Sequence, residues 1–108
     1  MSALPAPVLL WCPFPDAVSA KAAARVLVEA GLAACANILP AMQSVYAWAG
    51  EVHESGEIGV IFKTNADLRE TCIERLAELH PYEEPAILGW ECPLSGPATM
   101  AWLGALKG

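Results

Sequence analysis

The stretch that decides the fold runs from residue 33 to residue 63 and reads AACANILPAMQSVYAWAGEVHESGEIGVIFK. Both halves contain the β-branched and aromatic residues that favour extended strands, and Ala49–Glu51 between them reads as a turn. Near the end of the second half, Ile58, Val60 and Phe62 occupy every other position, which is the period of a strand. The stretch therefore predicts a long β-hairpin.

Pro40 interrupts the first strand of this hairpin, between an extended segment that begins at Ala33 and a second one at Ser44–Trp48. Proline has no N–H to donate to a neighbouring strand, so within sheets it occurs at edges, bends or bulges. We therefore expect an irregular first strand, followed by a regular second strand from roughly Glu51 to Lys63.

The segments on either side of the hairpin predict the remaining elements. These are a buried strand at Val8–Cys12, a helix at Ala17–Ala30 between an Asp16 cap and Gly31, a helix from an Asp67–Glu70 capping box to Leu79, a strand at Ala86–Cys92 and a short helix at about Ala98–Leu106. The order is βαββαβ with an extra C-terminal helix. It is typical of the α+β ferredoxin-like fold, in which helices cover one face of the sheet and leave the other open.

The composition is unusually apolar for a chain of this size. Of the 108 residues, 56% are hydrophobic and 17% are charged, which predicts one domain over residues 8–108 after a flexible N-terminus at 1–7. The surplus indicates either a membrane segment or a surface buried by other subunits. The uncharged run from Ala30 to Gly50 has the length of a membrane span, but it contains Pro40 and many alanines. We therefore expect a cytoplasmic protein with no membrane partner.

Charge and cysteine usage exclude further classes. The net charge is −6 and the six basic residues are scattered, so no nucleic-acid surface is expected. The four cysteines, Cys12, Cys35, Cys72 and Cys92, form no CxxC pair, which argues against structural zinc and favours free thiols, with Cys72 in the core. The chain also lacks glycine-rich nucleotide loops and the GxSxG and HExxH motifs, so no enzyme class has support.

Two places carry residues suited to metal chemistry. His80 ends the second predicted helix and begins the segment HPYEEP, where it is either a metal ligand or acid–base group, or simply the cap of the helix. Cys12 ends the first strand and is either a thiolate ligand for a soft ion such as Cu(I) or a buried core thiol. Trp48 reads as a packing or interface anchor, and Lys63 as an anion-facing or solvent-facing lysine.

Four ordered motifs are specific enough to indicate a family. They are ACANILP at residues 34–40, SVYAWAGE at 44–51, FKT at 62–64 and HPYEEP at 80–85. Together they resemble the CutA family of divalent-cation tolerance proteins, and the resemblance extends from about Val8 to Leu106. It implies a homotrimer similar to the PII signalling proteins, in which long hairpin strands pair between subunits.

The resemblance also implies a function. It predicts a non-enzymatic protein of cation homeostasis that binds divalent or soft metal ions, copper foremost, through Cys12 and His80. We expect a carboxylate such as Glu83 or a neighbouring subunit to complete the site. The first alternative is a PII-like signalling or scaffold trimer whose inter-subunit cleft, lined by Lys63, Trp48 and Tyr82, binds a small ligand. The second alternative is a module that binds an unidentified protein partner without any small ligand.

Overall fold

A four-stranded antiparallel sheet and three helices make up the fold in the computed structural model, which describes residues 4–108. The strands are β1 (Pro7–Phe14), β2 (Cys35–Trp48), β3 (Glu51–Asn65) and β4 (Leu88–Glu91), and the helices are α1 (Ala17–Glu29), α2 (Arg69–Leu79) and α3 (Pro97–Gly104). The strands lie in the order β2-β3-β1-β4. This arrangement confirms the predicted α+β class and the predicted βαββαβ order with its extra helix.

The predicted hairpin is confirmed and is longer than the sheet that carries it. Ala49 and Gly50 both have positive φ, 52° and 79°, and so form the kind of two-residue turn whose twist matches that of the strands. β1 accompanies β3 only as far as the pair Phe14 and Ile58, whereas β2 and β3 remain paired to the turn. Residues 42–57 therefore extend from the sheet as a two-stranded hairpin arm, and the molecule measures 52 × 25 × 22 Å.

The irregularity predicted at Pro40 is a β-bulge in an edge strand. The register of β2 against β3 shifts between Leu39 and Met42, and Ala41 takes a φ of 37°. Because β2 is the outermost strand, a residue without an N–H is tolerated there. Pro40 therefore lies both at a bulge and in an edge strand, two of the positions in which proline was expected.

The core lies between the sheet and the helices. β1 points alternate side chains inward, and these pack on a face of α1 made almost wholly of alanine and on two side chains of α2. The buried residues of these three elements include Val8, Leu10, Cys12, Phe14, Ala20, Ala23, Ala24, Leu27, Cys72 and Leu76. Small alanine side chains let α1 approach the sheet closely, and Cys72 is a core residue, as predicted.

Both predicted ends of α1 are confirmed. The Asp16 carboxylate accepts a hydrogen bond from the Ser19 backbone N–H at 2.8 Å, and this bond is the first cause that lowers the pKa of Asp16. At the other end Gly31 has a φ of 73°, and its N–H donates to the Val28 carbonyl at 3.1 Å. The Leu32 N–H donates to the Leu27 carbonyl at 3.0 Å, so the last carbonyls of the helix are satisfied.

The predicted capping box at the start of α2 is wrong. Leu68 occupies the N-cap position and makes no side-chain cap bond. Instead the Asn65 side-chain oxygen accepts from the backbone N–H groups of Asp67 and Leu68, at 3.0 and 3.1 Å. Asn65 can do this because it is the last residue of β3 and its side chain turns back over the start of the helix. The helix does end at Leu79, as predicted.

Three other boundaries differ from the expectation. β1 is longer at both ends than Val8–Cys12, since its pairing with β3 continues to Phe14. β4 is shorter than Ala86–Cys92, because β1 pairs with it only over four residues. α3 occupies Pro97–Gly104 rather than 98–106. Residues 1–3 of the predicted flexible N-terminus lie outside the described part of the chain.

The second face of the sheet carries large apolar side chains that remain partly or largely exposed. Leu88 and Trp90 of β4 are 57% and 48% exposed. Beside them Trp11 lies across Gly59, where an added Cβ would come within 2.3 Å of the indole ring. None of the helices in residues 4–108 has the length and apolarity needed to cross a membrane, and most of the uncharged run is strand β2.

Candidate functional site

Cys12 and His80 meet at one backbone oxygen. The Pro13 carbonyl accepts a hydrogen bond from His80 Nε2 at 2.8 Å, and the Cys12 thiol lies 3.8 Å from the same oxygen. The two residues come from β1 and from the end of α2, which the fold brings side by side. The structure therefore joins the two metal ligands predicted from the sequence at a single place.

Packing and hydrogen bonds fix the His80 ring. The imidazole is stacked on Phe14, with ring centroids 4.3 Å apart, and the residue is only 7% exposed. Its Nδ1 accepts from the Tyr82 backbone N–H at 3.1 Å, so the hydrogen-bond pattern assigns a neutral ring with the proton on Nε2. His80 is the C-cap residue of α2, but its side chain bonds to Pro13 and Tyr82 rather than to the last carbonyls of the helix.

Burial keeps the Cys12 thiol protonated. The side chain is inaccessible to solvent, and this burial, followed by the negative charge of Glu57, raises the pKa of Cys12 to about 12. Cys72, the other buried cysteine, has a pKa raised to about 11 by burial alone. A metal ion must therefore displace a proton to bind Cys12, and thiolate formation at this position is unfavourable near neutral pH.

Glu57 is a site residue that the sequence analysis missed. The Tyr82 hydroxyl donates to Glu57 Oε2 at 3.0 Å, which ties the segment after α2 to β3. The pKa of Tyr82 is raised to about 12, first by burial and then by the bond to Glu57 and its charge. No spacing or motif links positions 57 and 82. Their contact follows only from the fold, which places the segment after α2 beside β3.

A cleft of about 680 Å³ opens between the hairpin arm and the segment 80–86. Its lining includes Pro13, Tyr46, Trp48, Glu57, Tyr82, Glu83 and Glu84. Trp48 and Tyr82, which the sequence analysis assigned to a cleft between subunits, lie on the walls of this cleft within one chain. Lys63 lies elsewhere, near the base of the hairpin. There it stands opposite Cys35 of β2 on one side and opposite Leu9 of β1 on the other.

The residues present do not form a ready-made metal centre. Within residues 4–108 no group of three or more His, Cys, Asp or Glu side chains is placed to hold a metal ion. Cys12 and His80 have the donor atoms that soft metals prefer, but the thiol is protonated and both imidazole nitrogens are hydrogen-bonded. Glu83 lines the neighbouring cleft rather than completing a cluster with them.

Comparison with known proteins gives one consistent family. The sequence model of the family described as CutA1 divalent ion tolerance protein matches residues 8–105. A relative from Pyrococcus horikoshii, named divalent-cation tolerance protein CutA, is 42% identical over 81 residues, which cover 75% of this chain and 78% of that protein. A relative of the same name from Citrobacter koseri is 35% identical over 103 residues, covering 94% of this chain and 89% of that protein.

Solved structures agree with the sequence comparison. The divalent cation tolerance protein CutA1 of Thermus thermophilus superposes with a TM-score of 0.90 at 33% identity, covering 94% of this chain and 99% of that one. CutA from Xylella fastidiosa gives a TM-score of 0.90 at 34% identity, covering 94% and 98% of the two chains. The similarity therefore includes the hairpin arm as well as the sheet and helices.

Proposed function

Because this chain belongs to the CutA1 family of divalent ion tolerance proteins, we propose that it acts in divalent-cation tolerance by binding copper or another divalent or soft metal ion, without enzymatic activity. The observation that supports a metal-binding role most directly is the convergence of Cys12 and His80 on the Pro13 carbonyl. A thiol and an imidazole on one spot are the donors that favour copper over magnesium or calcium.

The state of these two donors bears on how tightly an ion would be held. Binding at Cys12 requires loss of a proton from a thiol whose pKa is about 12, and binding at His80 requires release of one hydrogen bond. Each requirement subtracts from the affinity. We therefore propose weak, exchangeable binding, with Glu83 as the carboxylate that moves towards the ion. Such a site suits a protein that handles ions in transit.

We further propose that the protein works as a cytoplasmic homotrimer. Support comes from the hairpin arm, since a two-stranded ribbon has little stability without a partner. Val45 and Val52 on that arm are 68% and 74% exposed, which is costly unless another chain covers them. The four cysteines are free, in keeping with a reducing compartment, and the net charge of −6 disfavours nucleic acid as a partner.

Removal of the Cys12 thiol is expected to weaken Cu(I) binding about tenfold or more, because it deletes the softest of the proposed ligands. The measurement is anaerobic competition against a chromophoric Cu(I) chelator, with wild type, Cys12→Ala and His80→Ala compared. Affinity should rise with pH, because the thiol gives up a proton when the ion binds. Cys72→Ala is the matched control, a buried thiol on α2, and should bind as the wild type does. Equal affinity in wild type and Cys12→Ala would contradict the metal proposal.

The trimer gives a second expected result. Sedimentation equilibrium should return a mass about three times the 11.4 kDa of one chain, because the arm and the apolar face of the sheet need cover. Replacing Val45 and Val52 by lysine places charges on the exposed arm and should shift the equilibrium towards smaller species. A stable species of one-chain mass in the wild type would refute the trimer.

A second candidate function is a PII-like signalling or scaffold trimer that binds a small ligand in an inter-subunit cleft, to which the hairpin arm and the segment 80–86 would contribute one side. The observation that favours it is the cleft itself, since about 680 Å³ lies within the range of small-molecule sites. Trp48 stands in its wall with 58% of its surface exposed, where an indole is available to a ligand. This function and metal binding use different residues and can be separated by substitution.

A further inference from the structure

The two hydrogen bonds of the His80 ring do not have the pattern of a metal ligand. A histidine that binds a metal through one ring nitrogen normally donates the N–H of its other nitrogen to a carbonyl or carboxylate oxygen. In this chain Nε2 donates to the Pro13 carbonyl at 2.8 Å, whereas Nδ1 faces a donor, the Tyr82 backbone N–H, at 3.1 Å. The two bonds therefore keep the proton on Nε2 and the lone pair on Nδ1.

Nε2 is nevertheless the nitrogen that an ion shared with Cys12 needs. The Cys12 thiol lies 3.8 Å from the Pro13 carbonyl oxygen, and the same oxygen accepts the bond from Nε2. An ion held by both side chains must therefore take the place of the Nε2 proton. A neutral imidazole offers a lone pair at Nε2 only when its proton is on Nδ1.

A proton on Nδ1 has a consequence for Tyr82. The Nδ1–H would face the Tyr82 N–H, and two donors cannot form a hydrogen bond with each other. The Tyr82 N–H must then leave the ring, which requires the peptide group between Pro81 and Tyr82 to turn. The other end of that peptide group is the Pro81 carbonyl, which is an acceptor for Nδ1–H and would give His80 the usual pattern of a metal ligand.

The groups involved are enclosed within one chain. Cys12 has no solvent exposure, His80 is 7% exposed, and the imidazole is stacked on Phe14. Turning the imidazole over would place carbon atoms where both nitrogens now form hydrogen bonds. The ring therefore has to accept an ion in its present orientation, and the adjustment falls to the backbone at Tyr82.

From this arrangement we infer that the Tyr82 backbone N–H holds His80 in the tautomer that cannot bind a metal at Nε2, and that binding of an ion with Cys12 releases this bond and moves the segment 80–86. In the step the Cys12 proton goes to solvent, Nε2 loses a proton and Nδ1 gains one, so the imidazole stays neutral. The Tyr82 hydroxyl also donates to Glu57 at 3.0 Å, so the movement is transmitted to β3. The inference rests on the metal-binding function proposed above and makes Tyr82 its positioning residue.

The first test is NMR spectroscopy of the full chain labelled with 15N. In the ion-free protein we expect the ring nitrogen shifts of the Nε2–H tautomer and a scalar coupling across the bond from the Tyr82 N–H to His80 Nδ1. With Cu(I) added anaerobically to saturation, the shifts should change to those of the Nδ1–H tautomer and the coupling should disappear. Exchange of the Tyr82 amide hydrogen should become faster. A merely structural role for Tyr82 would change none of these signals.

A pair of variants isolates the backbone N–H. Tyr82→Pro and Tyr82→Ala both remove the phenol, but only proline also lacks the N–H. Tyr82→Pro should therefore bind Cu(I) about two- to tenfold more tightly than Tyr82→Ala, which is the range of one hydrogen bond. Competition against the Cu(I) chelator gives both affinities. Should Tyr82→Pro fail to fold, the wild-type spectra decide.

Four results would each overturn the inference. They are an ion-free protein without the coupling, a Cu(I)-loaded His80 that keeps its Nε2 proton, a coupling that survives loading, and equal affinities in the two variants. In each case Cu(I) still binds, so the metal proposal stands. Absence of Cu(I) binding in the wild type and in both variants would refute the metal proposal itself, and the inference with it.

Discussion

Replacing Asn65 by alanine is expected to lower the free energy of unfolding by about 3 kcal/mol, because buried groups lose their hydrogen-bond partners. The Asn65 amide group donates to the carbonyls of Leu103 and Leu106, at 2.8 and 3.1 Å, and its oxygen accepts from two N–H groups at the start of α2. The residue has no solvent exposure. One side chain therefore joins the end of β3, the start of α2 and the end of α3.

The measurement is denaturant unfolding at one fixed protein concentration, because stability depends on concentration in an oligomer. Asn65→Asp separates the two halves of the network: it keeps an acceptor for α2 but turns the donor into a charge facing the carbonyls of Leu103 and Leu106. Hydrogen exchange in α3 should then rise more than exchange in α2. Asn37→Ala, on the exposed part of β2, is the control and should change stability by less than about 0.5 kcal/mol. A similar small change at Asn65 would show that the network carries little stability.

Replacing Phe14 by alanine is expected to cost about 4 kcal/mol and to loosen the candidate metal site, because its loss leaves a cavity beneath the imidazole. Phe14 has no solvent exposure and its ring is stacked on His80. The free energy of unfolding should be measured by denaturant titration. The ring resonances of His80 should be followed by NMR.

Phe14→Leu is the matched variant, because it keeps most of the buried volume and removes only the aromatic stacking. It should cost about 1 kcal/mol, within the range of an aromatic pair or of a volume-conserving substitution. His80 should remain ordered in Phe14→Leu and become mobile in Phe14→Ala. An ordered His80 in both variants would mean that the bonds to Pro13 and Tyr82 hold the ring without help from the stacking.

The parts of the fold that depend on neighbouring residues were predictable from the sequence. The hairpin turn at Ala49 and Gly50, the bulge at Pro40 and both ends of α1 follow from local backbone chemistry, and all are present. The start of α2 was mistaken because Asp67 and Glu70 have the spacing of a capping box, although the bonds come from Asn65. A cap supplied by a strand residue leaves no local pattern to find.

The candidate site was predictable where a motif marks it and not elsewhere. Cys12 and His80 stood out by their side-chain chemistry and again in the resemblance to a known family, and the structure brings them to one carbonyl oxygen. Glu57 was missed because its bond to Tyr82 joins two segments that are 25 positions apart and share no periodicity. The hydrogen bonds that occupy both His80 nitrogens were equally invisible, since they depend on where Pro13 and the Tyr82 backbone lie in space.

The bulge near Pro40 changes which residues of β2 face the helices. Before the bulge, odd-numbered residues of β2 stand opposite odd-numbered residues of β3, as Leu39 and Gly59 do. Beyond it, even-numbered residues of β2 stand opposite odd-numbered residues of β3, as Tyr46 and His53 do. Side chains alternate between the faces of a strand. One additional residue in β2 therefore moves odd- and even-numbered side chains beyond the bulge to opposite faces. As a result Ala36 and Ile38, opposite Phe62 and Val60, face the helices, whereas Tyr46 lies with His53 on the other face of the arm. One strand therefore supplies core contacts at its start and the outer surface of the arm at its end.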